Sequence, residues 1–360
     1  GALYVYFSET FERDVPKVKF ENNGYWNLRK PLQITIKDNS GIKEYKVVLK
    51  TKDSEIELEY EEPLVAEKLV NITLKPPRTA YTMRDKEIEI IVSAKDISKW
   101  NMLKGNSTKQ VFKLIIDQKR PQLNIVGNSY KISLGGSALV IFKVEDDNLE
   151  EFYIRTETKR QFKAEPFYKE GYYIALIAWP IQDKSFRATV VAKDAAGNIS
   201  KSYIPLYLKS KDYKLSKITL KDSFLKGKIA DLAEEFEETQ GIHDSIEQFK
   251  LINEKVREKN EALIHQITSK VPNESIDTLH VEPMYPLKNG QVVAHFGDHR
   301  KYYYKGKFIS EAYHLGIDMA SSAMAPIISK NNGKVVFADY NGLYGNSPII
   351  SHGLGLYTLY

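Results

Sequence analysis

The sequence predicts a mainly β protein with one helical hairpin set between two β regions, and three observations carry that reading. Through the first two hundred residues, short runs rich in Val, Ile, Tyr and Phe alternate apolar with polar positions and are cut by Asp, Asn and Gly. This period of two buries one face of a strand and leaves the other in water. Between about 222 and 270 the apolar positions recur every three to four residues, the stripe of an amphipathic helix. Beyond residue 289 the β pattern returns.

The opening apolar run, Ala2–Phe7, is far too short to span a bilayer. It reads as the remnant, within 1–13, of a membrane anchor lying upstream, or else as a first β-strand. The polar residues and Pro16 that follow at once favour the anchor.

Residues 14–209 repeat. RDVPKVKFENNGYWNL (13–28) aligns with QKRPQLNIVGNSYKIS (118–133), placing Pro16 on Pro121 and Tyr25 on Tyr130. LQITIKDNSGIKEYKV (32–47) then matches LVIFKVEDDNLEEFYI (139–154), each reading as strand, acidic turn, strand. IEIIVSAKDISKWN matches RATVVAKDAAGNIS, and the two share the Ala-Lys-Asp of 94–96 and 192–194. Each unit closes on an alternating strand, 109–117 and 201–209. Such runs build antiparallel two-layer sandwiches. The turn KDAAGN resembles the loop before the last strand of bacterial immunoglobulin-like domains. The units are therefore expected to be tandem immunoglobulin-like sandwiches, 14–117 and 118–209, serving as spacers or adhesion surfaces.

DSFLKGKIADLAEEFEE (222–238) puts Phe224, Leu225, Ile229, Leu232, Ala233 and Phe236 on one stripe, with Asp222 as N-cap and Gly241 as stop. The stretch 244–270 repeats the pattern with Ile246, Phe249, Leu251 or Ile252, Val256, Leu263 and Ile267. The pair makes an αα-hairpin joined by TQGIH, inside a hairpin-and-linker segment 210–280. The acidic run Glu234–Glu238 is a solvated face, and His265 has no partner at ligand spacing. Pro272, Pro283 and Pro286 punctuate the entry to a last domain, 281–360.

Composition limits the chemistry. Lys and Arg number 52 against 47 Asp and Glu, a net charge of +5 that is spread along the chain. Nucleic-acid binding needs a concentrated basic stripe, and none is present; a slight basic excess suits an anionic surface such as a wall polymer. With 42% apolar residues the chain can fill real cores. The absence of cysteine excludes disulfides, iron–sulfur clusters and thiolate zinc, leaving His and carboxylates as metal ligands. No phosphate-binding loop, dinucleotide fingerprint or Ser/His/Asp order appears.

EAYHLGIDMA (311–320) carries the strongest chemical signal, His314 and Asp318 with Gly316 between them. Nitrogen and oxygen donors suit zinc, whose catalytic sites keep three protein ligands and one open position. Gly316 and the β surroundings argue against a helix, so a strand end or bend must bring the side chains together. Taken alone, the pair is better explained as an imidazole hydrogen-bonded to a turn. HRKYYYKGK (299–307) interleaves Tyr with basic residues, as a groove for an extended peptide or glycan, or as a β-hairpin with aromatic cross-strand pairs.

The surroundings change the balance. In order, GQVVAHFG (290–297), HLGIDMA (314–320), API…NNGKVVFADYNGLYGN (325–346) and SHGLGLYTLY (351–360) resemble the lysostaphin/LytM-type zinc metallopeptidases, which cut peptide bonds in peptidoglycan. The resemblance covers about 285–360 and is specific as an ordered set. It implies a β-sheet metallopeptidase domain, of which 281–360 is the N-terminal portion. It implies Zn2+ as cofactor and His314 and Asp318 as two of three protein ligands. Gly297 matches the glycine of the F-G turn, Gly333 that of the G-x-V strand start, and Gly345 with Asn346 the G-N before a strand. His352 falls on a supporting histidine, and His295 and His299 either face the groove or are plain loop histidines. The family pattern continues with a further histidine and an H-x-H that carry the catalytic groups and the third ligand. The catalytic residues are thus expected beyond Tyr360, and the site as written is incomplete. The resemblance further implies peptidoglycan as substrate, a periplasmic place in the cell envelope anchored to the inner membrane, and contact with other envelope proteins. The alternative is a catalytically inactive relative that binds peptidoglycan or activates another wall hydrolase.

Overall fold

A computed structural model of the chain describes residues 9–271 and 276–360, so Ala2–Phe7 and Pro272 lie outside the described residues. Strands dominate and the longer helices fall in one region, as a mainly β chain requires. No helix among the described residues is long and apolar enough to cross a membrane. Packing divides the chain into two units. One is Gly1–Gln122 with Glu145–Glu151 and Ala192–Ser200; the other is Leu123–Val144, Phe152–Val191 and Lys201–Tyr360.

In the first unit the strand Leu32–Lys50 organises the sheet. Its first part pairs with Lys17–Phe20 and with Glu67–Leu74; from Ile42 onward it pairs with Glu55–Glu61 and Glu87–Asp96. The acidic turn expected between two strands instead bends one. Asp38 Oδ1 accepts from the backbone N–H groups of Ser40 and Gly41, and the register shifts between Lys37 and Ile42. Capping the turn with a side chain keeps its N–H groups satisfied, so the chain kinks without leaving the ladder. Ile34, Ile36, Val47 and Leu49, from both halves of the bend, join Ile72, Leu74, Ile90 and Val92 in one buried cluster.

At the matching point of the second repeat the chain does break. Ser137–Glu145 and Leu149–Thr156 are separate strands in separate four-stranded sheets. Ser137–Glu145 lies between Tyr172–Ala178 and Gln122–Asn128, and Leu149–Thr156 between Gln161–Phe162 and Ala188–Asp194. The single strand expected over 201–209 is split at Pro205 into Ile199–Tyr203 and Tyr207–Lys209, because proline has no N–H for the ladder. Tyr207–Lys209 pairs parallel with Lys131–Ser133, just as Ile115 and Ile116 pair parallel with Tyr25 and Trp26 in the first repeat. This one parallel pairing is common to the two repeats, whose sheets otherwise differ.

The helical hairpin follows its stripes. Leu225, Ile229 and Ala233 of the first helix and Phe249, Ile252 and Val256 of the second share one buried core. Asp244 caps the second helix, its carboxylate accepting from Ile246 N–H at 2.9 Å. Asp222 is not the N-cap of the first. It is the first helical residue, after Lys221, and its Oδ1 accepts from the Tyr304 hydroxyl at 2.7 Å. That tyrosine belongs to the hairpin His299–Tyr304 and Lys307–Tyr313, on which the helices pack. Tyr302 meets Phe249 edge to face, with ring centres 5.1 Å apart. The strand Leu215–Thr219, which the sequence did not suggest, pairs parallel with His299–Tyr304. Beyond it, Gln291–Ala294 pairs with Asp318–Ala320, while Lys334–Tyr340, Asn346–Ser351 and Tyr357–Leu359 form an antiparallel sheet.

Candidate metal centre

His314 is the first residue after the strand Lys307–Tyr313, and Asp318 opens the strand Asp318–Ala320. The three residues between them turn the chain, and Asp318 is registered against Ala294. From Ala294 the chain enters the turn 295–298, and this turn fixes His314 at three points. Gly297 N–H donates to the His314 carbonyl at 2.7 Å, and His314 N–H donates to the Asp298 carbonyl at 2.9 Å. The imidazole Nδ1 lies 3.0 Å from the His295 carbonyl. A carbonyl only accepts, so Nδ1 carries the hydrogen. Nε2 is thereby presented to Asp318 Oδ1, 3.0 Å away.

This arrangement fits a metal ion. A histidine ligand commonly commits its second nitrogen to a carbonyl, which fixes tautomer and ring direction. Two ligands at zinc distances of about 2.0–2.2 Å in tetrahedral array stand roughly 3.3 Å apart, close to the spacing found. The same contact also suits an imidazolium paired with a carboxylate. The imidazole is sheltered, with 14% of its side-chain surface exposed, and the carboxylate at 56% opens to solvent. Among the described residues no third His, Asp or Glu forms a three-donor cluster with the pair.

The matched glycines have physical reasons. Gly297 has φ +88°, and a Cβ there would lie 2.0 Å from Tyr213 Cδ1. At Gly333 a Cβ would lie 2.5 Å from Ile350 Cγ2 and 2.7 Å from the Ser351 carbonyl. Next to it, the Asn332 carbonyl meets His352 Nδ1 at 2.7 Å, and His352 Nε2 meets the Thr358 hydroxyl at 2.9 Å. Both nitrogens of His352 are spent on local bonds, so its part is structural. Gly345, at φ +65°, leads into Asn346, the first residue of its strand.

The other histidines that the sequence singles out do not join the pair. His295 contributes its carbonyl, while its side chain is exposed. His299 stacks on Tyr313 at 4.3 Å and meets Glu311 Oε2 at 3.0 Å, both on the neighbouring strand. His265 lies exposed on the helix Arg257–Thr268. HRKYYYKGK forms the β-hairpin of the two readings, with Tyr303 edge to face on Phe308 across the strands. Tyr302 and Tyr304 face the helices, which removes them from any groove.

Two groupings were hidden in the sequence. Tyr213 and Ser216 brace the turn that holds His314, through Gly297 and Asp298, and no local pattern links residues some eighty apart. Asp117, Asp146 and Asp194 bring carboxylate oxygens within 4.8 Å of one another in the first unit. Burial raises the Asp146 carboxyl above its ordinary value, and the charges of Asp194 and Asp117 add to this; the Asn148 N–H opposes them. Amide donors from Asn148 and Asn198 serve these carboxylates.

The sequence model of Peptidase family M23 matches residues 312–360, a segment that holds His314, Asp318 and His352. No curated protein matches the chain. The C-terminal segment is thus similar to an M23 peptidase, and the similarity supports a peptidase activity for the chain.

Proposed function

We propose that the protein is a zinc-dependent endopeptidase that hydrolyses peptide cross-links of peptidoglycan. The observation that carries the proposal is the convergence of His314 Nε2 and Asp318 Oδ1 to 3.0 Å inside the segment that matches Peptidase family M23. Zinc supplies Lewis-acid activation of the nucleophile and of the scissile amide. The protein's own contribution is orientation: the His295 carbonyl holds the Nδ1 hydrogen, and Asp318 keeps its carboxylate open to solvent. A catalytic site needs a further protein ligand and a proton-transfer group, which the family resemblance assigns to later histidines.

In this proposal the two β repeats are immunoglobulin-like modules that carry the peptidase within the cell envelope, on a chain anchored at the inner membrane. The sequence repeat, with the parallel pairing common to both modules, supports the role of a repeated spacer. The decisive experiment digests purified peptidoglycan with the full-length protein and follows released muropeptides. His314→Ala or Asp318→Ala abolishes release, and wild-type rates in either variant refute the assignment. A wild-type protein that binds peptidoglycan, or activates another wall hydrolase, without itself releasing muropeptides marks the non-catalytic alternative.

A further inference from the structure

The connector ahead of the helical hairpin grips the turn that orients His314. Tyr213 lays its ring on Gly297, so closely that a Cβ there would lie 2.0 Å from Cδ1 and 2.4 Å from Cε1. The same ring meets Phe296 edge to face at 5.7 Å, and its hydroxyl donates to the Leu134 carbonyl at 2.6 Å. Three residues later, Ser216 Oγ donates to Asp298 Oδ1 at 2.7 Å, while Arg300 Nε donates to Oδ2 at 3.2 Å. Between them the Lys214 carbonyl accepts from His299 N–H at 2.8 Å and opens the parallel pairing of Leu215–Thr219 with His299–Tyr304. Residues 213–216 therefore hold Phe296, Gly297 and Asp298 in succession. The turn 295–298 in its own right makes the three bonds that fix the backbone and ring of His314.

We propose that Tyr213 and Ser216 are positioning residues of the metal centre, setting the direction and tautomer of the His314 imidazole through the turn 295–298. This rests on the reading of His314 and Asp318 as metal ligands. Neither Tyr213 nor Ser216 takes part in the hydrogen bonds of the imidazole; their effect passes through the Asp298 and Gly297 main chain. The physical need is plain. Gly297 sits at a positive φ and the turn carries no regular ladder of its own, so an outside clamp must hold the His295 carbonyl on the imidazole and the Asp298 carbonyl on the His314 N–H. Ser216 anchors the carboxylate of the residue whose carbonyl takes the His314 N–H. Tyr213 fills the space that any side chain at 297 would claim. A ligand 1 Å or 20° out of place loses much of its value to a metal, so loosening either contact weakens the site without removing a donor.

The test uses the full-length protein, to which the family resemblance assigns the later histidines, and a readout that needs no activity. Amide hydrogen exchange is measured at His314, together with the ring 15N shifts that report which imidazole nitrogen is protonated. In Ser216→Ala the His314 amide exchanges about fivefold to tenfold faster, the factor expected for one lost hydrogen bond, and the ring population moves away from the Nδ1–H form. Tyr213→Ala gives a larger change, and Tyr213→Phe, which keeps the ring and loses only the hydroxyl, a smaller one. Protection at Ile90 in the first β unit and at Phe249 in the helical core stays at wild-type level, separating a local effect from unfolding. Should Tyr213→Ala not fold, Ser216→Ala decides alone. Zn2+ is then titrated against the His314 ring signals, and Ser216→Ala needs several-fold more metal than wild type. Unchanged exchange and ring population in the folded variants overturn the positioning role even if wild type binds zinc. Wild-type ring signals that ignore Zn2+ overturn the metal reading itself, whatever the exchange shows.

Discussion

Asn198 grips Asp194 at two points, its backbone N–H on Oδ1 and its Nδ2 on Oδ2, both at 2.8 Å. Nδ2 also donates to the Asp117 carbonyl at 2.9 Å, tying down the chain that enters the second repeat. Asn106 does the same to Asp96 in the first repeat, and its Nδ2 also reaches the Glu12 carbonyl at 2.9 Å. Both aspartates are buried, at 0% and 1% exposure, so their charge must be met by these donors. Asn198→Ala strips Asp194 Oδ2 and the Asp117 carbonyl of that donor together. The expected loss is about 2–4 kcal/mol, read from urea denaturation, with Asn106→Ala in the same range. A change within about 0.5 kcal/mol, ordinary for a neutral surface substitution, contradicts the clamp.

The shared Ala-Lys-Asp was legible because it stands at the same place in both repeats, yet its use was not. Asn106 follows its aspartate by ten residues and Asn198 by four, so an alignment of the two stretches does not pair them. Alternation marks strands such as Glu87–Asp96 and Ser137–Glu145, since each buries every second residue in a core. It could not tell a bend from a break at Asp38, because a side-chain cap satisfies the turn in either case. The stripes found the helical core, but Asp222 was misassigned because Tyr304, far along the chain, offers its carboxylate another partner. The same limit holds at the candidate metal centre. His314 and Asp318 are four residues apart and could be read as a motif. The clamp on them comes from Leu215–Thr219 pairing with His299–Tyr304, a parallel contact that leaves no periodic trace.

Gly297→Ala tests how tightly that turn is built. The new Cβ meets the Tyr213 ring at 2.0 Å, at a φ of +88° that alanine disfavours. Strain and displacement together are expected to cost about 2–4 kcal/mol. Faster amide exchange should be concentrated in residues 295–298 and at His314. Wild-type stability would mean that the tyrosine moves aside freely.

Phe249→Ala probes the helical hairpin. Phe249 packs with Leu225, Ile252 and Val256 and meets Tyr302 of the β-hairpin edge to face. Its removal leaves a cavity at a joint between helices and strands, at a cost of about 3–5 kcal/mol. Thermal melting followed by helix circular dichroism checks this, and a loss under about 1 kcal/mol would show that the interface collapses to fill the space.

Zinc should stabilise the full-length protein, in which the later histidines assigned by the family resemblance complete the ligand set. A ligand that binds only the folded form adds about 1.4 kcal/mol at ten times its dissociation constant. A melting temperature that rises with Zn2+ and returns on chelation is the expected result. Asp318→Asn keeps the shape but loses the anionic donor, and should abolish most of the rise. An equal rise in that variant would place the metal elsewhere.

Acid should loosen the turn through Asp298. Burial pushes this carboxyl up, but hydrogen bonds from Ser216 and Arg300, with the charges of Arg300 and Lys214, outweigh burial and hold it below the ordinary value. A folded-state pKa below the unfolded one means that unfolding takes up a proton as the pH falls. The contribution of Asp298 is therefore complete above the unfolded value of about 3.9, and it fades as the pH drops from there through the folded value. Asp298→Asn has no carboxyl to titrate at this position. The stability difference between wild type and the variant should be flat from pH 7 to pH 5 and shrink from about pH 4 downward, measured by denaturant titration at each pH. If that difference widened in acid, Asp298 would have to be held above its ordinary value, and the Ser216 and Arg300 bonds would not be the forces that govern it.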